Sequence, residues 1–151
     1  MLSEYDFSGA IRSHLRVIRK KKLGFTGTRL EPSDRQQKQM VTLLKLHTPA
    51  ELHHGDCIGA DEFIAKLAWE LQSKGIRVVC HPPTDEKDRA FTKYHECRDA
   101  LPYIERNHAI VDECDFLLGV PRTANEEVRS GTWATIRYAW KVGIPVSIFK
   151  P

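Results

Sequence analysis

Five short apolar runs, separated by stretches of helical period, constrain this chain most. They are Leu23-Gly24-Phe25-Thr26, Glu51 to His54, Ile76 to Cys80, Phe116 to Val120, and Val146 to Phe149. Several of them lack the apolar–polar alternation of a strand with one wet face. Strands buried on both faces belong to a parallel sheet covered by helices on each side. The expected fold class is therefore α/β: three layers around a mostly parallel sheet of about five strands.

The helical stretches fit between the strands. Ser33 caps a helix running to about Leu46, with Met40, Val41, Leu43 and Leu44 towards the core. Ala60, Phe63, Ile64, Leu67, Ala68 and Leu71 follow the clearest helical spacing in the chain, and Gly75 ends that helix. Residues 84–100 are highly polar and read as a loop with one short helix. Leu101 to Glu113 reads as a helix with Ile104, His108 and Val111 on one face. Thr132 to Val142 is the last helix, closed by Gly143. Its stripe Trp133, Ile136 and Trp140 is expected to pack on the sheet, although Trp133 is near enough to the preceding turn to stack on a base. Residues 1–20 form an N-terminal extension with Ile11, Leu15 and Ile18 on one stripe, and residues 21–150 form one domain. The basic run Arg19-Lys20-Lys21-Lys22 reads as a solvated entry to the first strand.

A chain of 151 residues, 41% hydrophobic and 28% charged, is long enough for one domain with a real core. The net charge of +3 is too mild for a protein that coats DNA, and leaves only local basic patches. Cys57, Cys80, Cys97 and Cys114 are widely spaced, without a CxxC pair, as expected of free thiols in a reducing compartment. No apolar run is long enough to span a membrane. The N-terminus has an early acid and no apolar core of a secretory signal, so the cytoplasm is the default location.

Ligands of open α/β sheets sit beyond the carboxyl ends of the strands. Three loops should meet there. Thr26-Gly27-Thr28-Arg29 offers backbone donors, two hydroxyls and a guanidinium. Gly55-Asp56-Cys57-Ile58-Gly59-Ala60-Asp61 has two glycines and opens a helix, whose N-terminus favours anions. Arg129-Ser130-Gly131-Thr132 also lies at a helix start. Glycine turns at two helix starts with arginine nearby suit a phosphate. Asp56 is open to several roles: binding a ribose hydroxyl, holding an arginine, or acting as a base. Asp61 stabilises the helix start or faces the ligand. Arg106-Asn107, flanked by Glu105, either reaches over the rim or forms a surface ion pair.

Other chemistries find less support. There is no GxxxxGK[ST] motif and no GxGxxG motif, so neither a P-loop nor a standard dinucleotide site is present, and no cofactor is expected. His53 and His54 alternate on a strand and face opposite ways, as do Cys80 and His81. A closed zinc site needs converging ligands, so no metal is expected.

Taken together, Gly24 to Arg29, Gly55 to Asp61, Arg106-Asn107 and Ser130-Gly131-Thr132 resemble the SLOG superfamily. This Rossmann-like group includes DNA-processing protein A, the "lonely guy" phosphoribohydrolases and small stand-alone proteins of unassigned function, which the chain resembles most. The resemblance spans about residues 21–150. It implies a nucleotide or nucleotide-derived ligand among these loops, with its phosphate on the late Gly-Thr turn. The phosphoribohydrolases carry a catalytic glutamate three residues after that threonine; here the position is Thr135. A lysine-decarboxylase activity has no pyridoxal lysine site to support it.

Three functions follow as expectations. The first is a nucleotide binder or sensor without turnover. The second is a hydrolase of ribosyl-phosphate compounds, which needs Asp56 or Glu105 as its carboxylate. The third is single-stranded DNA binding through the basic run and the arginine rim, disfavoured by the mild charge. Relatives of this type often form dimers, so self-association is expected as well.

Overall fold

In the computed structural model, Ile18 and residues 20–151 are described; the rest of the expected N-terminal stripe lies outside them. The elements are β1 (Lys22–Gly27), α1 (Asp34–Leu46), β2 (Glu51–His54), α2 (Ala60–Glu70), a 3₁₀ turn (Gln72–Lys74), β3 (Arg77–Cys80), β4 (Glu96–Cys97), α3 (Tyr103–Glu113), β5 (Phe116–Val120), α4 (Gly131–Val142) and β6 (Val146–Ile148). The strands form one sheet in the order β4-β3-β2-β1-β5-β6, and every pairing is parallel.

That order explains the layers. From β1 the chain steps one way to β2 and β3, then crosses to β5 and β6 on the other side. Crossovers of one hand made in opposite directions put their helices on opposite faces. The two apolar clusters show this. Leu23, Phe25, Leu52, Val78, Phe116 and Leu118 pack with Met40, Leu43 and Leu44 of α1 and Ile64 of α2. Leu117 packs with Val111 of α3 and Trp133, Ile136 and Ala139 of α4. Burial on both faces is why β5 reads FLLGV, with every residue buried.

Local signals set the boundaries. Ser33 accepts a hydrogen bond from the Gln36 amide while the Gln36 side chain accepts one from Ser33, a reciprocal cap that starts α1. Gly143 closes α4 with φ of 82°. At Gly119 a β-carbon would fall 2.6 Å from the Ile136 side chain, so the glycine lets α4 lie close on the sheet.

Three expectations are corrected. Residues 84–100 hold no helix; they wrap as turns and add β4 to the edge of β3. Their polar side chains have no apolar face to bury, so their backbone groups pair with the sheet edge instead. Ile104 is 72% exposed, and α3 instead buries Arg106, Ile110 and Val111. Trp140 is exposed, while Trp133 and Ile136 are buried, so α4 packs along a narrower stripe. The lysines of the basic run, Lys20 to Lys22, are exposed as expected. Cys57, Cys80 and Cys114 are buried, Cys97 is exposed, and all are free.

Candidate functional site

The order in which strands are added reverses between β1 and β5, although the two strands run parallel. Strands on either side of such a point carry their following loops apart and leave a crevice beyond their carboxyl ends. A cleft of about 480 Å³ lies there. Its floor is Thr26 and Gly27 at the end of β1, with Thr28 and Arg29 beyond. Gly55, Cys57 and Asp61 form one wall, and Tyr103, Arg106 and Asn107 of α3 another. Arg129, Ser130, Gly131 and Thr132 close it at the start of α4.

The two helix starts differ sharply. At α2 the amides of Ala60, Glu62 and Phe63 are engaged, while that of Asp61 donates to no group among the described residues. The Ala60 amide donates to the Thr28 carbonyl at 2.9 Å, and the Cys57 amide donates to Asp61 Oδ2 at 3.1 Å. Gly59 fits because its φ is 90° and a β-carbon there would lie 2.5 Å from the Thr28 carbonyl oxygen. This loop is thus built to hold itself against Thr28 and Arg29. At α4, Ser130 Oγ accepts from the Trp133 amide at 3.2 Å. The amides of Gly131 and Thr132 donate to no group among the described residues. A β-carbon on Gly131 would meet no atom within 4 Å, and its φ is not positive. Neither packing nor backbone conformation requires glycine there.

The arginines divide in the same way. Arg106 is buried and braces the site. Its Nη1 donates to the Gly55 carbonyl and, at 3.1 Å, to the His81 carbonyl, while its Nε donates to Asn107 Oδ1 at 2.8 Å. Gly55 is glycine because a side chain would strike that guanidinium. Arg29 pairs with Asp88 at 2.8 Å and lies over the Tyr103 ring. Arg122 makes a two-pronged pair with Glu127. Arg129 is exposed and has no hydrogen bond or ion pair among the described residues.

The carboxylates are placed as follows. Asp61 is buried in the cleft wall. Burial raises its pKa to about 6, against the pull of the Arg106 charge and the amide hydrogen bonds. Asp56 lies outside the cleft lining, fully buried with φ of 57°. It accepts from Arg89 Nε at 2.9 Å, the Thr92 amide at 3.0 Å and Thr92 Oγ1 at 2.6 Å. Burial alone would raise its carboxyl, but the Thr92 and Arg89 bonds outweigh it and hold it below the usual range. Asp56 thus ties the 84–92 segment to the β2 loop. Glu105 is exposed in the first turn of α3 and does not line the cleft.

The cleft therefore gathers Thr26 to Arg29, Gly55, Asp61, Arg106, Asn107 and Arg129 to Thr132. It leaves out Asp56, Gly59, Ala60, Glu105 and Trp133. Trp133 is packed in the α3–α4 core, with its indole N–H buried and unpartnered. Sequence reasoning missed Tyr103, Arg122 and Glu127, and placed Cys57 at the rim only as part of the glycine loop. Tyr103 was legible as the first aromatic of α3, one turn before Arg106; the 121–130 loop gave no periodic signal at all.

No protein-family model and no curated protein matches the sequence. Solved structures do. The molybdenum cofactor binding protein from the phototrophic bacterium Rippkaea orientalis superposes with a TM-score of 0.67 at 18% identity, over 89% of this chain and 78% of that one. The Moco carrier protein from Chlamydomonas reinhardtii gives 0.62 at 18% identity, over 87% and 76%. DNA processing protein A from Streptococcus pneumoniae gives 0.59 at 18% identity, over 89% of this chain but 51% of that one. The shared feature is the fold, a Rossmann-like three-layer sandwich.

Proposed function

We propose that this protein binds a nucleotide or nucleotide-derived ligand in the β1–β5 cleft, as a binder or sensor, with the ligand's phosphate at the start of α4. The observation that carries the reading is the open start of α4: two amides without acceptors, a glycine with free space, and an unpartnered arginine. A helix N-terminus of this kind attracts an anion, and arginine adds a forked donor. The other end of the cleft, at Tyr103 and Asn107, offers an aromatic ring and a side-chain amide to the rest of the ligand. Asp56 and Glu105, the carboxylates considered for hydrolysis, do not line the cleft, and Thr135 spends its hydroxyl on the Gly131 carbonyl at 2.8 Å. Asp61 and Glu127 do line the cleft, but Asp61 holds the Cys57 amide and Glu127 is paired with Arg122, so these positions favour binding over turnover. The names of the similar structures make the molybdenum cofactor one ligand worth including.

The test is calorimetry and thermal shift with AMP, ADP-ribose, NAD, ribose 5-phosphate and the molybdenum cofactor, with adenosine as the phosphate-free control. The reading expects stabilisation by phosphate-bearing compounds, little by adenosine, and no product on incubation. Equal stabilisation by adenosine and AMP would remove the phosphate from the reading. Release of a base or of ribose phosphate would replace the binder with a hydrolase. Native mass spectrometry of the same samples checks the expected self-association.

A further inference from the structure

A second cluster lies on the α3 face of β2 and β3, away from the cleft. Register brings it together. His53 is paired with Val79 across β2 and β3. Side chains repeat every second residue, so His81 shares the face of Val79 and meets His53. Opposite orientation within each strand was the argument against a metal, but it does not separate residues on neighbouring strands. Both imidazoles are 1% exposed. Nδ1 of His53 lies 2.8 Å from Nε2 of His81, and Oε2 of Glu113, at the end of α3, lies 3.5 Å from the same Nε2. All three donor atoms fall within 4.8 Å of one another.

The hydrogen bonds assign the protons. Nε2 of His53 lies 2.7 Å from Glu51 Oε1. An ionised carboxylate only accepts, so a neutral His53 carries its proton on Nε2 and presents a lone pair at Nδ1. His81 Nε2 then supplies the one proton that bridges the two rings. That proton sits among two ring nitrogens and a carboxylate oxygen, which are the donor types of a borderline divalent cation. The surroundings fit the same role. Glu51 holds His53 in the way that outer carboxylates hold metal-bound imidazoles. Arg98 holds Glu113, with Nε donating to Oε1 at 3.0 Å and to Oε2 at 3.2 Å and Nη2 pairing with Oε1 at 2.9 Å, while Oε2 also lies towards His81. Glu51 and Glu113 are 26% and 36% exposed, so water reaches the edge of the cluster. Around a zinc ion the two ring nitrogens would stand about 3.3 Å apart, so the pair must open by about half an ångström.

We propose that His53, His81 and Glu113 form a binding site for a first-row divalent cation of the zinc type, with water as the fourth ligand and with Glu51 and Arg98 as positioning residues. The cation needs the lone pair of His81 Nε2, so the proton there is given up and Nδ1 takes one up as the cation enters; the ring stays neutral and no net proton is released.

The test titrates chelator-treated whole protein with Co²⁺ and then Zn²⁺, read by visible absorption, calorimetry and melting temperature. Expected are one saturable equivalent, cobalt ligand-field bands without thiolate charge-transfer bands, and a rise in melting temperature. Glu113→Gln should abolish saturable uptake, and Glu51→Gln should weaken it about 10- to 100-fold. Cys97→Ser and His95→Gln should bind as the parent does. His81→Gln should also lose uptake; were it to misfold, the partly exposed Glu113 and Glu51 variants would still decide. Absence of saturable uptake in the parent protein overturns the site. So does uptake that survives Glu113→Gln, or that disappears in Cys97→Ser.

Discussion

Gly131→Glu should raise stability and destroy phosphate binding at once, and the opposite signs make it a strict test of the α4 seat. The new side chain meets no protein atom within 4 Å of its β-carbon, and the backbone needs no glycine. Replacing glycine at a first helical position gains up to about 0.5 kcal/mol of backbone entropy. A carboxylate in the first turn gains a further ~0.3–1 kcal/mol from the helix dipole. The sum, about 1 kcal/mol, is a rise of roughly 2–4 °C in melting temperature for a domain of this size. On the proposed binding mode the same carboxylate occupies the phosphate's seat, competes for the open amides and draws Arg129 to itself. Charge-assisted hydrogen bonds contribute ~1.5–3 kcal/mol each. Losing the two open amides therefore costs about 3 kcal/mol or more, or roughly 100-fold in affinity. Differential scanning fluorimetry reads the first effect and calorimetry with AMP or ADP-ribose the second. A variant that is as stable as the parent or more so, yet binds phosphate ligands normally, would refute the seat at α4. A large loss of stability would refute the claim that Gly131 faces open space.

Other consequences are equally direct. Arg129→Ala should leave the free protein within about 0.5 kcal/mol of the parent, because the guanidinium has no partner to lose. It should weaken phosphate ligands about tenfold or more, and more at low salt, while leaving adenosine unaffected. Asp61 has a folded pKa of about 6, above its unfolded value. Its contribution is fully present below the unfolded pKa near 4 and is lost as pH rises through about 6, a difference of about 3 kcal/mol. Denaturant melts of Asp61→Asn should lack that fall between pH 4 and 7; a parallel pH dependence in parent and variant would sink the assignment. His54 and His81 act in the other direction. Burial depresses them to about 4 and about 3, so their contribution is present above the unfolded pKa near 6.5 and is lost as pH falls towards those values, measured as acid unfolding by circular dichroism. Gly59→Ala should cost about 3 kcal/mol or more, since φ of 90° and the fixed Thr28 carbonyl leave no place for a methyl group.

Parts of this architecture were legible because local signals and tertiary demands agree. The strands β1, β2, β3, β5 and β6 show as apolar runs since both their faces are covered. Ser33 shows as a cap because Gln36 completes it three residues on. β4 was not legible, because two polar residues on a sheet edge carry no periodicity; register with Val79 and Cys80 makes them a strand. The exposure of Ile104 was hidden for a related reason. The apolar period of α3 suggests one face, but Arg106 must reach the Gly55 and His81 carbonyls, and that requirement turns the helix so that a buried cation replaces an expected apolar contact.

That same arginine explains why the cleft exists as a unit. The loops after β1 and β2 and the start of α4 are far apart in the chain, and β1–β5 pairing alone fixes only the strand ends. Arg106 spans the loops after β2 and β3 from α3, while Asp61 gathers the amides of the β2 loop beneath it. Asp56, pointing the other way, fastens the 84–92 segment through Arg89 and Thr92, and Asp88 of that segment in turn holds Arg29 at the cleft mouth. The Gly-Asp loop thus carries two carboxylates with divided labour: one organises the cleft wall, the other secures the arm that orients Arg29. Both tasks consume hydrogen-bonding capacity, whereas Gly131, Thr132 and Arg129 keep theirs, which is why the proposed reading seats the ligand's phosphate at that end of the cleft.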